Sequence, residues 1–186
     1  EINNLIEKII ENPNLSVVAK RVKRSEGLFF QFLYQAHKLI TFFFTGKIIN
    51  FGNYSLLTKD DVEKLHSKAS LWSSFSGSVK KHIKILNEIR SSRGLRYFGP
   101  SQMSLFKLII HSLSIIAVFK YQVFLRSSIM VIALASLNSY FGQITFILLI
   151  LIVIFNFVIF IISRRELEKD FINSHNNLDN IKNIKH

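Results

Sequence analysis

The sequence predicts an α/β domain followed by interfacial helices and a two-helix transmembrane hairpin. Three observations carry this prediction. Apolar residues at helical spacing in EINNLIEKIIE are followed, after the turn Asn12-Pro13-Asn14, by the β-branched run LSVVA, a helix-then-strand order. Two later segments, 26–44 and 104–120, are apolar and aromatic around most of a helix but keep a narrow polar stripe. Finally, the stretch from about Ser127 to Ser163 holds no charged residue and is long enough to cross a bilayer twice.

The opening helix places Ile2, Leu5, Ile6, Ile9 and Ile10 on one stripe. It is already under way at Glu1, so the chain reads as the C-terminal part of a longer protein. LSVVA then runs into Lys20, Arg21, Lys23 and Arg24, a basic cluster at a strand's C-terminal end, where open α/β sheets bind ligands. A solvated loop or a lipid-headgroup contact explains the same charges. In 26–44, Gln31, Gln35 and Lys38 share one face, and the phenylalanines elsewhere call for lipid or a large partner surface.

Gly52-Asn53 reads as a turn entering a short apolar strand, and Thr58-Lys59-Asp60-Asp61 as a capping box opening the helix DDVEKLHSK. Paired acids at a helix N-terminus satisfy its dipole, which is preferred here to metal binding. A second helix from about Leu71 to Lys80 and a strand in HIKILNEIR lead to the basic, glycine-containing loop at 91–101. Its arginines would lie at headgroup depth, where the guanidinium fork suits a lipid phosphate.

In 104–120 the polar stripe is Lys107, His111 and Ser114. We read an interfacial helix, with a buried core helix as the alternative; Lys107 and His111 disfavour a further span. The hairpin is then expected over 121–165, with spans at about 127–141 and 144–162. The second span holds one amide, Asn156, and about 19 residues at ~1.5 Å each match a hydrocarbon core of about 30 Å. Arg126 before the hairpin and Arg164-Arg165 after it place both ends, and the polar tail 166–186, on the cytoplasmic side.

Composition agrees with this division. The 186 residues carry a net charge of +12 and yet are 49% hydrophobic, because charge and apolar excess lie in different regions. Basic residues flanking membrane spans account for the charge, so no nucleic-acid partner is expected. With no cysteine, disulfides and thiolate metal sites are excluded. The six histidines show no HxxxH or HExxH spacing, so no zinc site is expected, and no nucleophile elbow, P-loop or GxGxxG occurs.

The order VVAKRVKRSEG, FLYQAHKLI, NFGNYSLLTKDDVEKL, RSSRGLRYFGPSQMS and then membrane helices resembles the C-terminal half of a family 2 glycosyltransferase. Within it the chain is most similar to the polyprenol-phosphate branch, typified by dolichol-phosphate mannosyltransferase. The resemblance implies that 1–103 is the C-terminal part of a cytoplasmic nucleotide-sugar-binding domain and 104–120 an interfacial helix. It implies a multi-pass membrane enzyme, with its catalytic side facing the cytoplasm of a bacterial inner membrane. It would move sugar from a nucleotide-sugar donor to a polyprenyl phosphate. Another lipid or glycan acceptor, or a non-enzymatic basic membrane adaptor, are the alternatives.

The family's divalent metal, Mg or Mn, is held by an Asp-x-Asp motif absent here. The chain resembles the family from just after that motif, so alone it is not expected to bind donor or turn over. The resemblance assigns acceptor-phosphate binding to Arg21, Arg24, Arg96 and Ser101, and an active-site loop to Gly52, Asn53, Ser55 and Gly99. Gln102 stands where the family has Lys. Asn53 replaces a family acid and cannot act as a base.

Overall fold

The computed structural model describes residues 2–24, 27–93, 104–167, 169 and 173–174, leaving aside the side chains of residues 23, 24, 30 and 93. The order is α1 (Ile2–Glu11), β1 (Val17–Arg24), α2 (Leu28–Thr45), β2 (Phe51–Leu56), α3 (Lys59–Leu65), α4 (Ser70–Ser73), α5 (Phe75–His82) and β3 (Asn87–Arg93). Then come α6 (Leu105–Ala117), α7 (Lys120–Ser136), α8 (Asn138–Phe141) and α9 (Gln143–Ser163). The strands form one mixed sheet in the order β2-β1-β3, with β1 antiparallel to β2 and parallel to β3. The α/β expectation holds at that level.

Val17 and Val18, both 0% exposed, seat the central strand in the core. Parallel pairing with β3 carries β1 on through Lys20–Arg24, so the basic cluster extends the strand instead of following it. Gly52-Asn53 is a bulge and not a turn. Between the pairs Val18↔Ser55 and Lys20↔Phe51, β1 has only Ala19 where β2 has Gly52, Asn53 and Tyr54. Glycine within a strand marks such irregularities as readily as it marks turns.

Other boundaries moved for local reasons. The helix expected at 71–80 is two, because the Ser74 hydroxyl accepts from Gly77 N–H at 3.2 Å and starts α5 afresh. The strand in HIKILNEIR begins only at Asn87, since His82 still belongs to α5. The aromatic helix ends on Gly46, whose φ of 70° is the left-handed cap conformation that glycine adopts without penalty.

Thr58 caps α3 as expected, accepting from Asp61 N–H at 3.3 Å. The buried Asp61 carboxylate accepts from Ser16 Oγ at 2.6 Å and from Lys64 Nζ at 2.9 Å, while Ser16 Oγ accepts from Thr58 N–H at 3.0 Å. Burial alone would push this carboxyl up, but Ser16, Lys64 and Thr58 together hold it below the ordinary carboxylate value. A depressed folded-state pKa stabilises above the unfolded value and loses that contribution as pH falls through the folded one. Denaturation of the wild-type chain and Asp61→Asn should therefore give a stability gap that is full above about pH 4 and closes below it. A gap constant from pH 6 to pH 3 would contradict this.

Two apolar clusters share one segment. Val18, Phe51, Leu65, Val79, Ile115, Val118 and Phe119 belong to the first, and Ile116, Ala117, Val123, Ile159 and Ile162 to the second. The shared segment is the bend between α6 and α7, which turns by 87°. Lys81 Nζ donates to Val118 O at 2.8 Å and Ser73 Oγ to Ser114 O at 3.1 Å, satisfying carbonyls at the end of α6. The stripe on α6 is thus divided. Lys107 and His111 are exposed, whereas Ser114 is buried and donates to Ile110 O at 2.8 Å, so the C-terminal part of α6 is a core helix.

Among the described residues one helix, α9, is long and apolar enough to cross a membrane by itself. Its 21 residues measure about 31 Å at ~1.5 Å per residue. Of its most apolar 18 residues only 11% are buried, unlike the core helix of a soluble protein. The span expected at 127–141 differs. There α7 starts earlier, at Lys120, takes in Arg126 and stops at Ser136, so it passes the same test only jointly with α6 across the bend.

Candidate functional site

The parallel pairing of β1 and β3 brings the two basic segments together although about 70 positions separate them. Arg21 aligns with Ser91 and Arg24 with Arg93, so KRVKR and RSSR end side by side at the C-terminal edge of the sheet. Among the described residues, the acid paired here is Glu88, which accepts from Lys20 Nζ at 2.8 Å. The edge is strongly cationic.

Arg21 and Gly52 are brought into contact. Arg21 N–H donates to Asn50 O at 2.9 Å, which fixes the strand, and the guanidinium lies across the Gly52 backbone. A Cβ at Gly52 would stand 2.5 Å from Arg21 Nη2 and 3.2 Å from Cζ, so any side chain there displaces the guanidinium. Asn53 is exposed on the bulge and Ser55 half-buried beside Val18. Arg24 has a described backbone at the end of β1. Arg96, Gly99 and Ser101 lie outside the described residues.

At the C-terminal end of α2 lies an apolar groove of about 790 Å³. Ile40, Phe43 and Phe44 of α2 form one wall, and Met130 and Leu134 of α7 with Phe155 of α9 the others. The Phe44 and Phe155 rings pack with centroids 4.2 Å apart, tying α2 to α9. Exposed Leu28, Phe29, Phe32 and Leu39 on α2 and Leu105, Phe106 and Ile109 on α6 present further apolar surface. The chain matches no known protein family, curated protein or solved structure.

Other clusters are less able to do chemistry. Ser70 Oγ lies 2.7 Å from Ser78 Oγ and 3.3 Å from His82 Nε2, but both serines are buried, and burial lowers the proton affinity of His82 before the nearby Lys81 and Lys68 do. A nucleophile needs access to its substrate, so this is a packing network. Among the described residues no three His, Asp or Glu side chains assemble as a metal site, and no step here is assigned to a cation.

Sequence reasoning missed the link between Gly46 and Arg126. A Cβ on Gly46 would meet Arg126 Nη2 at 2.5 Å, and Arg126 Nη1 donates to Phe43 O at 3.3 Å. Gly46 after an aromatic helix was a readable C-cap signal. Its partner 80 positions away was not.

Proposed function

We propose that the chain is the acceptor-binding, membrane-attached part of a glycosyltransferase that moves sugar from a nucleotide-sugar to a polyprenyl phosphate. The observation that carries this reading is the apolar groove between α2, α7 and α9, joined by the short return Gly46–Asn50 to the cationic sheet edge holding Arg21. A long hydrocarbon with a phosphate at one end has the same two parts. The resemblance of the RSSRG and VVAKR segments to the family supplies the reaction.

In this reading α7 and α9 form a hairpin with both ends on the cytoplasmic side, where the positive-inside rule puts Lys120, Arg164 and Arg165. The acceptor's monoester has a second pKa of about 6, so it is largely dianionic near neutral pH and needs no general base. One phosphate oxygen bonds to the anomeric carbon as the bond from that carbon to the nucleotide diphosphate breaks, with the pair of electrons leaving on the diphosphate. Arg21 and Arg96 orient the acceptor phosphate and offset its charge. Asn53, lacking an acid, contributes at most hydrogen bonds.

A panel of radiolabelled nucleotide-sugars supplied to membranes containing the full-length protein tests this. Label should pass from one donor into the organic-extractable lipid fraction. Label recovered only in water-soluble glycan would overturn the lipid acceptor.

A further inference from the structure

Ser127 and Ser128, which follow Arg126 on α7, line one groove with Ile152, Val153 and Asn156 of the uncharged α9. In the hairpin reading Arg126 therefore stands beside the apolar surface of α9, at the start of the uncharged part of α7. An arginine beside lipid-facing apolar surface is costly, and such residues mark functional sites when their surroundings fit a ligand.

The surroundings of Arg126 fit an anion with a hydrocarbon chain. The side chain is exposed and lies over Gly46 at the C-terminal end of α2, with Nη1 on Phe43 O at 3.3 Å. Among the described residues no carboxylate is paired with it, so most of its five N–H donors remain for another acceptor. One turn further along α7, Met130 lines the apolar groove, as does Phe43 itself. Cation and groove are thus contiguous, with the charge at one end.

We propose that Arg126 is a second phosphate contact of the acceptor, taking up the lipid phosphate monoester at the mouth of the α2–α7–α9 groove while its hydrocarbon chain lies within. The site rests on the polyprenyl-phosphate reading above and adds to Arg21 a cation at the other end of the return Gly46–Asn50, since Arg126 lies over Gly46 while Arg21 N–H donates to Asn50 O. The guanidinium can turn one edge to Phe43 O and present the other as a fork to two phosphate oxygens. The acceptor is thereby gathered from the leaflet with its phosphate already facing the return toward the sheet edge.

The test is equilibrium binding of radiolabelled farnesyl phosphate and, separately, farnesol to the whole chain in lipid nanodiscs. Arg126→Gln should weaken farnesyl phosphate binding about tenfold or more, the loss expected for a charged hydrogen bond, and leave farnesol binding unchanged. Arg126→Lys should restore part of it. Equal loss of both ligands, with a lowered melting temperature, would make Arg126 only a cap for α2 and overturn the site. Farnesyl phosphate binding that depends on Arg21 and not on Arg126 would overturn the site while the acceptor reading stands. Binding of phosphatidylglycerol through Arg126, with none of farnesyl phosphate, would overturn the monoester as occupant and the acceptor reading with it.

Discussion

Phe119→Ala is expected to destabilise the chain by about 3–5 kcal/mol, the range for truncating a buried aromatic in a packed core. Phe119 is 1% exposed and lies in the bend between α6 and α7, where Ile115 and Val118 enter one apolar cluster and Ile116, Ala117 and Val123 the other. Removing its ring opens a void at the joint, so the sheet and the helices α7 and α9 should lose stability together. Thermal or denaturant unfolding in detergent, followed separately for the two parts, measures this. Phe106→Ala, at a site 70% exposed, is the control and should fall within about 0.5 kcal/mol of wild type. If Phe119→Ala costs no more than the control, the bend does not join the two clusters as described.

Arg21→Ala in the full-length protein is expected to lower sugar transfer to lipid phosphate by about 10²-fold, some 2.7 kcal/mol, as when one preorganised donor to a charged group is removed. The strand itself should survive, because the bond that fixes it runs from the Arg21 backbone to Asn50 O. Gly52→Val is a second probe of the same contact. Its Cβ would stand where the guanidinium now lies, so transfer should fall with Arg21 still present. Initial rates at varied acceptor concentration would separate weaker acceptor binding from a slower step. Unchanged rates in Arg21→Ala would remove Arg21 from the site.

Much of this architecture was legible because it rests on local signals. The α1 stripe, the β-branched start of β1, the Thr58 cap and the uncharged α9 each state their conformation within a few residues. What failed depended on tertiary pairing. Gly52-Asn53 carries the same local signal whether it turns a hairpin or bulges a strand, and only its pairing with Val18 and Lys20 decides. The α6 stripe looked interfacial throughout, yet packing against α4 and the bend buries Ser114. At the candidate site, the basic segments were visible but their alignment through β1 and β3 was not. Arg126 read as a topological flank until α2's end was found beneath it.

The most direct test of the central claim is to give membranes bearing the full-length protein the active radiolabelled donor together with either a short polyprenyl phosphate or the matching polyprenol. Label is expected in a new lipid product only with the phosphate, as recognition of its two ends by Arg21 and the groove would require. Equal labelling of the free alcohol, or labelling of neither lipid while soluble glycan is labelled, would contradict it.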